Sequence, residues 1–448
     1  MLTPPSRIAA VTDWTRTHVR PLLGRIGRWS LLVAIGIAAI IGVQHVSRGT
    51  SIRHVQGVGV DDRPVSPREP RFPFTVETLT GTTLSSGHHA EVILNGDQTF
   101  HRLWADLRSA EQSITIQVYY GQAGEVGRTL RQILIERAAA GVRVFVLYDA
   151  FGFQRIPAAD RDALREARVI VVPFRPLRLS TLHLAQNRSH VRGIVIDGRI
   201  GWTGGFSIDD RWLGDGRTNG SWRETNVRFE GPAVRQLQGA FAAAWAEATG
   251  TLFSGRTSSV EPRDNGVRAG LLYATPTLGT TTAERFFAMS IAGAAKTLYV
   301  TNSYFAPDDN FVGLLSDAAR RGVDARILTG GQRTDVRTVR LAGRAQYERL
   351  LEAGVRIYEW RPTTLHAKTF VVDGIWVTVG SMNFDNRSLT LNDESTLMIL
   401  DENLGKEMQA VFLEDLNHSE EITLMRFRQR SWVQRTLERA ASLVQRLL

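Results

Sequence analysis

The stretch LHAKTFVVDGIWVTVGSMNFDNRS, residues 365–388, holds both a fold signal and a chemical signal. Its run KTFVVDGIWVTVGS predicts two short β-strands joined by an Asp-Gly turn, because Asp-Gly between apolar runs favours a hairpin. Residues two apart on a strand share a face, so His366 and Lys368 should point the same way. The returning strand should bring Ser381 and Asn383 to the same end of the sheet. We therefore expect an imidazole, an ammonium group and an amide around one point, which suits a phosphodiester.

The same pattern occurs earlier, in NRSHVRGIVIDGRIGWTGGFSIDDRW, residues 187–212. The matching residues are His190, Arg192, Asp197, Gly204, Gly205 and Ser207 in the first copy and His366, Lys368, Asp373, Gly380, Ser381 and Asn383 in the second. The recurrence disfavours the competing interpretation, an incidental His and Lys on a surface strand.

The first copy has arginine in place of lysine at Arg192 and serine in place of asparagine at Ser207. Arginine keeps the charge but carries a larger planar group, and serine is shorter than asparagine. We expect the first half-site to remain catalytic. A slower site, a site retuned toward another substrate and a merely phosphate-binding half are the alternatives.

The repetition extends beyond the motifs. SITIQVYY is echoed by KTLYVTNSYF, RAAAGVRVFVLYD by DAARRGVDARILTG, and LREARVIVVPFRP by LEAGVRIYEWRP. Strand-like and helix-like segments alternate, which predicts an α/β protein. A period this long indicates duplicated domains rather than a solenoid. We place the halves at 86–255 and 271–425, with a polar linker at 256–270.

The N-terminal part differs in character. A basic tail, 1–28, precedes WSLLVAIGIAAIIGVQHV at 29–46, which contains no Asp, Glu, Lys or Arg. As a helix this segment would span about 27 Å, enough to cross a hydrocarbon core. We expect an uncleaved transmembrane anchor. A cleaved signal peptide is disfavoured by the long basic region and by the lack of a small-x-small site, and a buried core helix is the other alternative. Residues 47–85 have the composition of a linker.

The C-terminal segment, 426–448, predicts an amphipathic basic helix. Its apolar stripe contains Trp432, Val433, Leu437, Ala440, Val444 and Leu447, accompanied by Arg435, Arg439 and Arg446. Such a helix either docks on the protein or lies at the interface of an anionic lipid surface.

Composition narrows the function classes. The 448 residues include no cysteine, which excludes disulfides, thiol catalysis and thiolate zinc sites. The formal net charge is +9, which favours polyanionic partners, either nucleic acid or anionic lipid. Lys368 is one of only three lysines, so its place in a motif is informative.

The motif H-x-K-x4-D followed by G-S-x-N resembles the signature of the phospholipase D superfamily. Further stretches, among them LNGDQTFHRLWADLRSAEQSITIQVYY, YFAPDDNFVGLLSDAARRGVDARILTGG and VFLEDLNHSEEITL, are similar to the cardiolipin synthase branch. The resemblance runs from about Glu91 to the C-terminus. It implies two tandem α/β domains, each a mixed sheet flanked by helices, related by pseudo-twofold symmetry and preceded by the transmembrane helix.

The resemblance also implies roles for individual residues. His190 would attack phosphorus to form a phosphohistidine and His366 would protonate the leaving alcohol, although the two roles could be exchanged. Glu224, in WRETNVRFEGPAV, would orient His190, and Glu394, in NRSLTLNDES, would orient His366; a solvated strand carboxylate is the alternative for each. The motif aspartates would hold the neighbouring cation and start the turn. These aspartates are Asp197 and Asp373.

The remaining implied contacts concern the substrate. The phosphate would be bound by Asn383, Ser207, Ser381, Gly205 and Gly380, with Lys368 and Arg192 as the cations. No metal or cofactor would be needed. The expected substrates are anionic phospholipids, phosphatidylglycerol as both donor and acceptor, in a bacterial inner membrane.

Three other functions compete with this interpretation. A phospholipase D-type hydrolase would use the same residues with water as acceptor. A nuclease of the superfamily is disfavoured because the chain has neither a recognisable nucleic-acid module nor an aromatic-rich basic stripe. An inactive lipid-binding scaffold is the third, supported by Arg192 and Ser207. Acceptor, membrane orientation and oligomeric state are not predicted.

Overall fold

The computed structural model describes residues 28–33, 35, 36, 39, 51–57, 63–178, 185–252, 262–277, 279 and 281–445. The chain divides into two units, Met1–Thr50 and Ser51–Leu448. In the first unit the described residues are helical. Most of the predicted basic tail and of the predicted anchor lies outside the described residues. Among the helices that are described, none combines the length and the apolarity needed to cross a membrane.

The unit Ser51–Leu448 has the predicted α/β class, but its strands form one continuous mixed sheet rather than a separate sheet in each half. The strands found in its described residues are β1 (Ser85–Leu94), β2 (Ser113–Val118), β3 (Arg143–Asp149), β4 (Ile170–Phe174), β5 (Gly193–Ile196), β6 (Ile200–Gly204), β7 (Thr225–Glu230), β8 (Val267–Ala274), β9 (Thr297–Asn302), β10 (Asp324–Gly330), β11 (Arg356–Trp360), β12 (Lys368–Val372), β13 (Trp376–Gly380), β14 (Glu394–Leu400) and β15 (Ser419–Ile422).

Helices flank the sheet. They are α1 (Phe72–Thr80), α2 (Asn95–Arg108), α3 (Glu125–Ala139), α4 (Ala158–Glu166), α5 (Ala233–Thr249), α6 (Thr282–Ala292), α7 (Asp309–Arg320), α8 (Arg337–Arg344), α9 (Tyr347–Glu352), α10 (Asn386–Thr390), α11 (Glu402–Asn417), α12 (Leu424–Arg428) and α13 (Trp432–Leu443).

The strand order shows the duplication directly. The first half follows the order β1-β7-β6-β5-β2-β3-β4, and the second repeats it as β8-β14-β13-β12-β9-β10-β11, with β15 added at the outer edge. Strands β1 and β8 are antiparallel neighbours at the centre, so the sheet continues from one half into the other. A shared core supports this continuity, because one apolar cluster includes Phe229 on β7, Leu237 on α5 and Val377 on β13.

The two motif hairpins, β5–β6 and β12–β13, turn as the sequence predicts. At the second turn Asp373 and Gly374 have φ of 51° and 62°, and at the first Asp197 and Gly198 have φ of 53° and 64°. Left-handed backbone of this kind is tolerated best by glycine and, among other residues, by Asp and Asn. The Asp-Gly pair therefore starts each turn.

The aspartates do not hold the neighbouring cations, so that part of the prediction was wrong. The carboxylate of Asp373 instead accepts the backbone N–H groups of Lys296 and Thr297, at 2.7 and 2.9 Å. Asp197 does the same for Gln112 and Ser113, both at 2.8 Å. Each aspartate thus fastens its hairpin to the start of the neighbouring strand, β9 or β2.

Replacing this anchor should destabilise the fold rather than only slow turnover. We expect Asp373→Ala to lower the free energy of unfolding by about 3–5 kcal/mol, since it removes a buried ionic acceptor for several backbone donors. Urea unfolding followed by circular dichroism measures the change. Asp317→Ala is the control, because Asp317 is half exposed in a surface pair with Arg320 and should cost less than about 1 kcal/mol. Equal stability losses in the two variants would contradict the anchoring role.

Candidate active site

The backbone at each motif histidine is hydrogen-bonded to the other half of the chain. The N–H of His190, just before β5, donates to the carbonyl oxygen of Asp393 at 2.8 Å. The N–H of His366, just before β12, donates to the carbonyl oxygen of Arg223, also at 2.8 Å. Asp393 precedes Glu394 in the chain, and Arg223 precedes Glu224. The backbone pairing therefore brings each histidine to the glutamate of the opposite half.

The histidine–glutamate pairs are consequently crossed. Nδ1 of His190 lies 2.9 Å from both carboxylate oxygens of Glu394, and Nδ1 of His366 lies 2.7 Å from Oε2 of Glu224. The prediction that Glu224 faces His190 and Glu394 faces His366 was wrong. It assigned each glutamate to the histidine nearest in the chain, whereas the pairing depends on contacts between segments far apart in sequence.

Both carboxylates are buried and fixed by further donors. Glu224 accepts from the indole N–H of Trp212 at 3.0 Å and from the backbone N–H of Thr225 at 3.0 Å. Glu394 accepts from the hydroxyl of Ser381 at 2.5 Å. A carboxylate held in this way fixes the orientation of the imidazole through Nδ1 and leaves Nε2 on the opposite side of the ring, which in His190 is in contact with Nη1 of Arg192.

This arrangement corrects the predicted roles of three motif residues. Ser381 supports Glu394, and it is fully buried. A Cβ on Gly205 would lie 2.4 Å from the Glu224 carboxylate, and one on Gly380 would lie 2.4 Å from the carbonyl oxygen of Ser395. The two glycines thus make room for close packing, and none of the three lines the catalytic cavity described below.

The two cations lie beside the imidazoles. Lys368 places Nζ 2.9 Å from Nδ1 of His366 and also donates to the His366 carbonyl oxygen. Arg192 places Nη1 3.0 Å from Nε2 of His190, while its Nε donates to the hydroxyl of Ser207 at 3.3 Å. The two positions at which the first copy departs from the second are therefore in contact with each other.

Burial sets the protonation of the histidines. Desolvation holds the pKa of His190 well below its ordinary value, and the positive charges of Arg192 and Lys368 lower it further. The pKa of His366 is likewise held well below its ordinary value, first by burial and then by Lys368 and Arg192. The imidazoles are therefore neutral at physiological pH, as a nitrogen nucleophile requires.

Burial also moves the pKa values of their partners toward neutrality. It lowers the pKa of Lys368 to about 7, although the nearby charge of Glu224 opposes the shift. It raises the pKa of Glu394 to about 7 against the hydrogen bond from Ser381, and it raises that of Glu224. Perturbed groups gathered in one cleft are a common property of active sites.

Both histidines line one cavity of about 450 Å³. Asn383 and Arg192 also line it, whereas Ser207 does not. The remaining walls were not predicted and are largely aromatic and charged: Tyr119, Tyr120, Arg155, Arg188, Arg211, Trp212, Trp222, Tyr304, Asp335, Val336, Val339, Asp385, Arg387 and Asn392. Tyr119 stands edge-on to His190 with ring centres 5.1 Å apart. Most of these residues lie within the quoted stretches, whereas Arg155, Asp335, Val336 and Val339 lie outside them and had no signal in the sequence.

Two buried histidines, each held by a carboxylate and flanked by a cation, define a phospholipase D-type enzyme when they occur on a duplicated α/β sheet. A family model described as "Cardiolipin synthase, PLD-like domain" matches residues 288–416. A cardiolipin synthase of Geobacillus kaustophilus is 34% identical over 397 residues, covering 87% of this chain and 78% of that protein. Cardiolipin synthase A of Pseudomonas putida is 34% identical over 339 residues, covering 75% and 70%.

The chain thus belongs to the cardiolipin synthase family of the phospholipase D superfamily, and it is a phosphatidyltransferase of that superfamily. Solved structures show the same fold. A phosphatidylserine synthase of Haemophilus influenzae superposes with a TM-score of 0.60 at 16% identity, over 84% of this chain and 100% of that one. A polyphosphate kinase of Porphyromonas gingivalis superposes with a TM-score of 0.52 at 12% identity, over 82% and 52%.

The crossed pairing can be measured by double-mutant cycles. We expect Glu224→Gln and His366→Ala to be strongly non-additive in kcat/KM, because the carboxylate acts mainly by orienting that imidazole. Glu224→Gln and His190→Ala should be closer to additive. Transfer rates of the single and double variants supply both coupling energies. Stronger coupling of Glu224 to His190 than to His366 would contradict the crossed arrangement.

The lowered pKa of Lys368 predicts a descending limb in the pH profile. Above about pH 7 the free enzyme loses the Lys368 charge, so its attraction for an anionic phosphodiester should fall and kcat/KM should decline. Lys368→Arg keeps the charge and should shift the decline to higher pH. Profiles of kcat/KM on a water-soluble phosphodiester lipid test this, with Lys406→Arg, on the exposed side of α11, as the control. An unchanged limb in Lys368→Arg would rule Lys368 out as its origin.

Proposed function

We propose that the protein synthesises cardiolipin by transferring a phosphatidyl group from one phosphatidylglycerol molecule to another, with release of glycerol. The observation that carries the proposal is the pair of buried histidines in one cavity, each bonded through Nδ1 to a carboxylate. The family relationship supports the choice of lipid substrates. The predicted location, a bacterial membrane, follows from the same relationship and from the apolar segment at 29–46.

In the first step, Nε2 of His190 attacks phosphorus of the donor lipid. A nitrogen–phosphorus bond forms while the bond from phosphorus to the glycerol oxygen breaks. His366 gives its Nε2 proton to that oxygen, so glycerol leaves neutral. The lowered pKa values keep both imidazoles neutral, and the family resemblance assigns the nucleophile's role to His190. His366 acquires its proton when the anionic phosphodiester is bound, because a nearby negative charge raises the pKa of an imidazole.

In the second step, the acceptor lipid replaces glycerol. Its hydroxyl gives a proton to Nε2 of His366 while the oxygen attacks phosphorus, and the bond to His190 breaks. Glu394 holds the imidazole of His190 in one orientation through both steps, and Glu224 does so for His366. No other group needs to change its proton count.

The charge that develops on the phosphoryl oxygens is stabilised by donors already in the cavity. Arg192 and the amide of Asn383 line the cavity and are in position for this, whereas Lys368 does not line it and contributes its charge from beside His366. Ser207 positions Arg192 rather than binding phosphate. Donors fixed before the reaction stabilise a transition state more effectively than water does, since they need no reorganisation.

Lipid mass spectrometry of vesicles containing phosphatidylglycerol tests the proposed reaction. We expect the full chain to form cardiolipin and glycerol in equal amounts. His190→Ala and His366→Ala should lower the rate by at least about 10³-fold, because each removes a group that forms or breaks a bond. His418→Ala, a surface histidine paired with Glu414, is the matched control and should remain active.

The products identify the acceptor of the phosphatidyl group. Phosphatidic acid without cardiolipin would show that water is the acceptor and would replace the synthase with a hydrolase. Unchanged lipid turnover in His366→Ala would instead favour an inactive scaffold over an enzyme that uses both histidines.

A further inference from the structure

A second cavity, of about 730 Å³, lies on the other side of helix α8 from the catalytic cavity. Val336, just before α8, and Val339 line the catalytic cavity, whereas Arg337, Arg340 and Arg344 line the second one. The helix is therefore a shared wall, apolar toward the reaction site and basic on the opposite side. The proposed reaction makes no use of the second cavity.

Arginines dominate the polar lining of this second cavity. The lining contains Arg337, Arg340, Arg344, Arg426 and Arg430, against the carboxylates Glu359 and Glu420. Buried ion pairs fix part of the set: Arg344 bonds Glu438 at 3.0 Å, and Arg340 bonds Glu359 at 2.6 Å. The cavity lining therefore carries more positive than negative charge, and ion pairs hold several of its arginines in place.

Some N–H groups of these arginines have no hydrogen-bond acceptor. Nε of Arg340 is buried and has no hydrogen-bond acceptor in the part of the chain that is described. Arg337 is exposed and forms no ion pair with any described residue, whereas Arg426 is 73% exposed and donates to Glu420. A phosphate group would offer Arg337 an acceptor and would compete with Glu420 for Arg426.

The wall opposite α8 is helix α13, whose Val433 and Leu437 line the second cavity while Trp432 and Leu443 face outward. Ala441 and Glu438 are buried against the protein, so α13 docks as one of the two sequence-based alternatives predicts. The predicted stripe is not the docking face, however. Trp432 is 77%, Val433 47%, Leu437 49% and Leu443 78% exposed, and nearby Met425 is 75% exposed.

We propose that α12, α13 and the second cavity form a membrane-docking surface that binds an anionic phospholipid of the bilayer. The arginines would bind the lipid phosphate, while the exposed side chains Trp432, Leu443 and Met425 would enter the boundary between headgroups and acyl chains. Exposed apolar side chains next to a cluster of arginines match the two parts of such a lipid, and tryptophan favours that boundary. Since α8 is shared, docking at this surface would hold the catalytic cavity close to its lipid substrates.

The test measures contact between Trp432 and the bilayer in the full chain, reconstituted into phosphatidylcholine vesicles with brominated acyl chains and an increasing fraction of phosphatidylglycerol. Bromine quenches nearby tryptophan fluorescence, and subtraction of the Trp432→Phe signal isolates Trp432. We expect this component to be quenched, and more strongly as the phosphatidylglycerol fraction rises. The readout is independent of turnover, so a failure of the proposed reaction would leave it interpretable.

Charge-matched variants separate recognition of the anionic lipid from simple apolar contact. Each basic residue near an anionic surface contributes about fivefold to binding, so Arg337→Gln with Arg426→Gln should weaken docking about 25-fold and require more phosphatidylglycerol for the same quenching. Arg165→Gln with Arg320→Gln removes the same charge from α4 and α7 and should leave the curve unchanged.

Three results would overturn the proposal. The Trp432 component could stay unquenched at every phosphatidylglycerol fraction. The two double variants could behave alike. Inorganic phosphate could reverse quenching more than sodium chloride of the same ionic strength does, which would make a soluble anion, and not a bilayer lipid, the ligand of the arginines.

Discussion

The contact between each buried histidine and a glutamate of the opposite half is the constraint on which the rest of the site depends. His366 with Glu224 and His190 with Glu394 are contacts of 2.7 and 2.9 Å between residues 142 and 204 positions apart in the chain. Neither half can orient its own imidazole, so the duplicated halves are not two independent sites. The continuous sheet and the core cluster shared across β7, α5 and β13 hold the halves in the register that these contacts need.

Burying this many ionisable groups is costly unless they compensate one another. The cations Lys368 and Arg192 balance the carboxylates Glu224 and Glu394, and the imidazoles stay neutral. The compensation is incomplete, because burial still brings the pKa values of Lys368 and Glu394 to about 7. A bound phosphodiester adds the negative charge that favours the protonated lysine. The site is thus arranged for its anionic substrate and remains partly uncompensated without it.

The sequence predicted the parts of this structure that depend on local chemistry. Alternating strands, the repeated motif and the Asp-Gly turns led to the α/β class, the duplication and the two hairpins. The partners of Glu224, Ser381 and Asp373 could not be predicted in the same way, since they follow from the pairing of segments that lie 13 to 142 residues apart in the chain. The motif aspartates illustrate the limit: their turn conformation is local and was predicted, whereas their role as acceptors for the next strand is not local and was missed.

The two departures in the first half, arginine at position 192 and serine at position 207, are best understood together. The side chain of Arg192 is longer than that of Lys368, its counterpart in the second half. The side chain of Ser207 is shorter than that of its counterpart, Asn383. The two side chains meet at 3.3 Å, so the extra length of one fills the space left by the other. Arg192 still places Nη1 3.0 Å from Nε2 of His190, close enough to share a phosphate with it. A cation therefore remains beside the imidazole in each half, and the substitutions are better explained by a repacked catalytic half than by one that has lost its function.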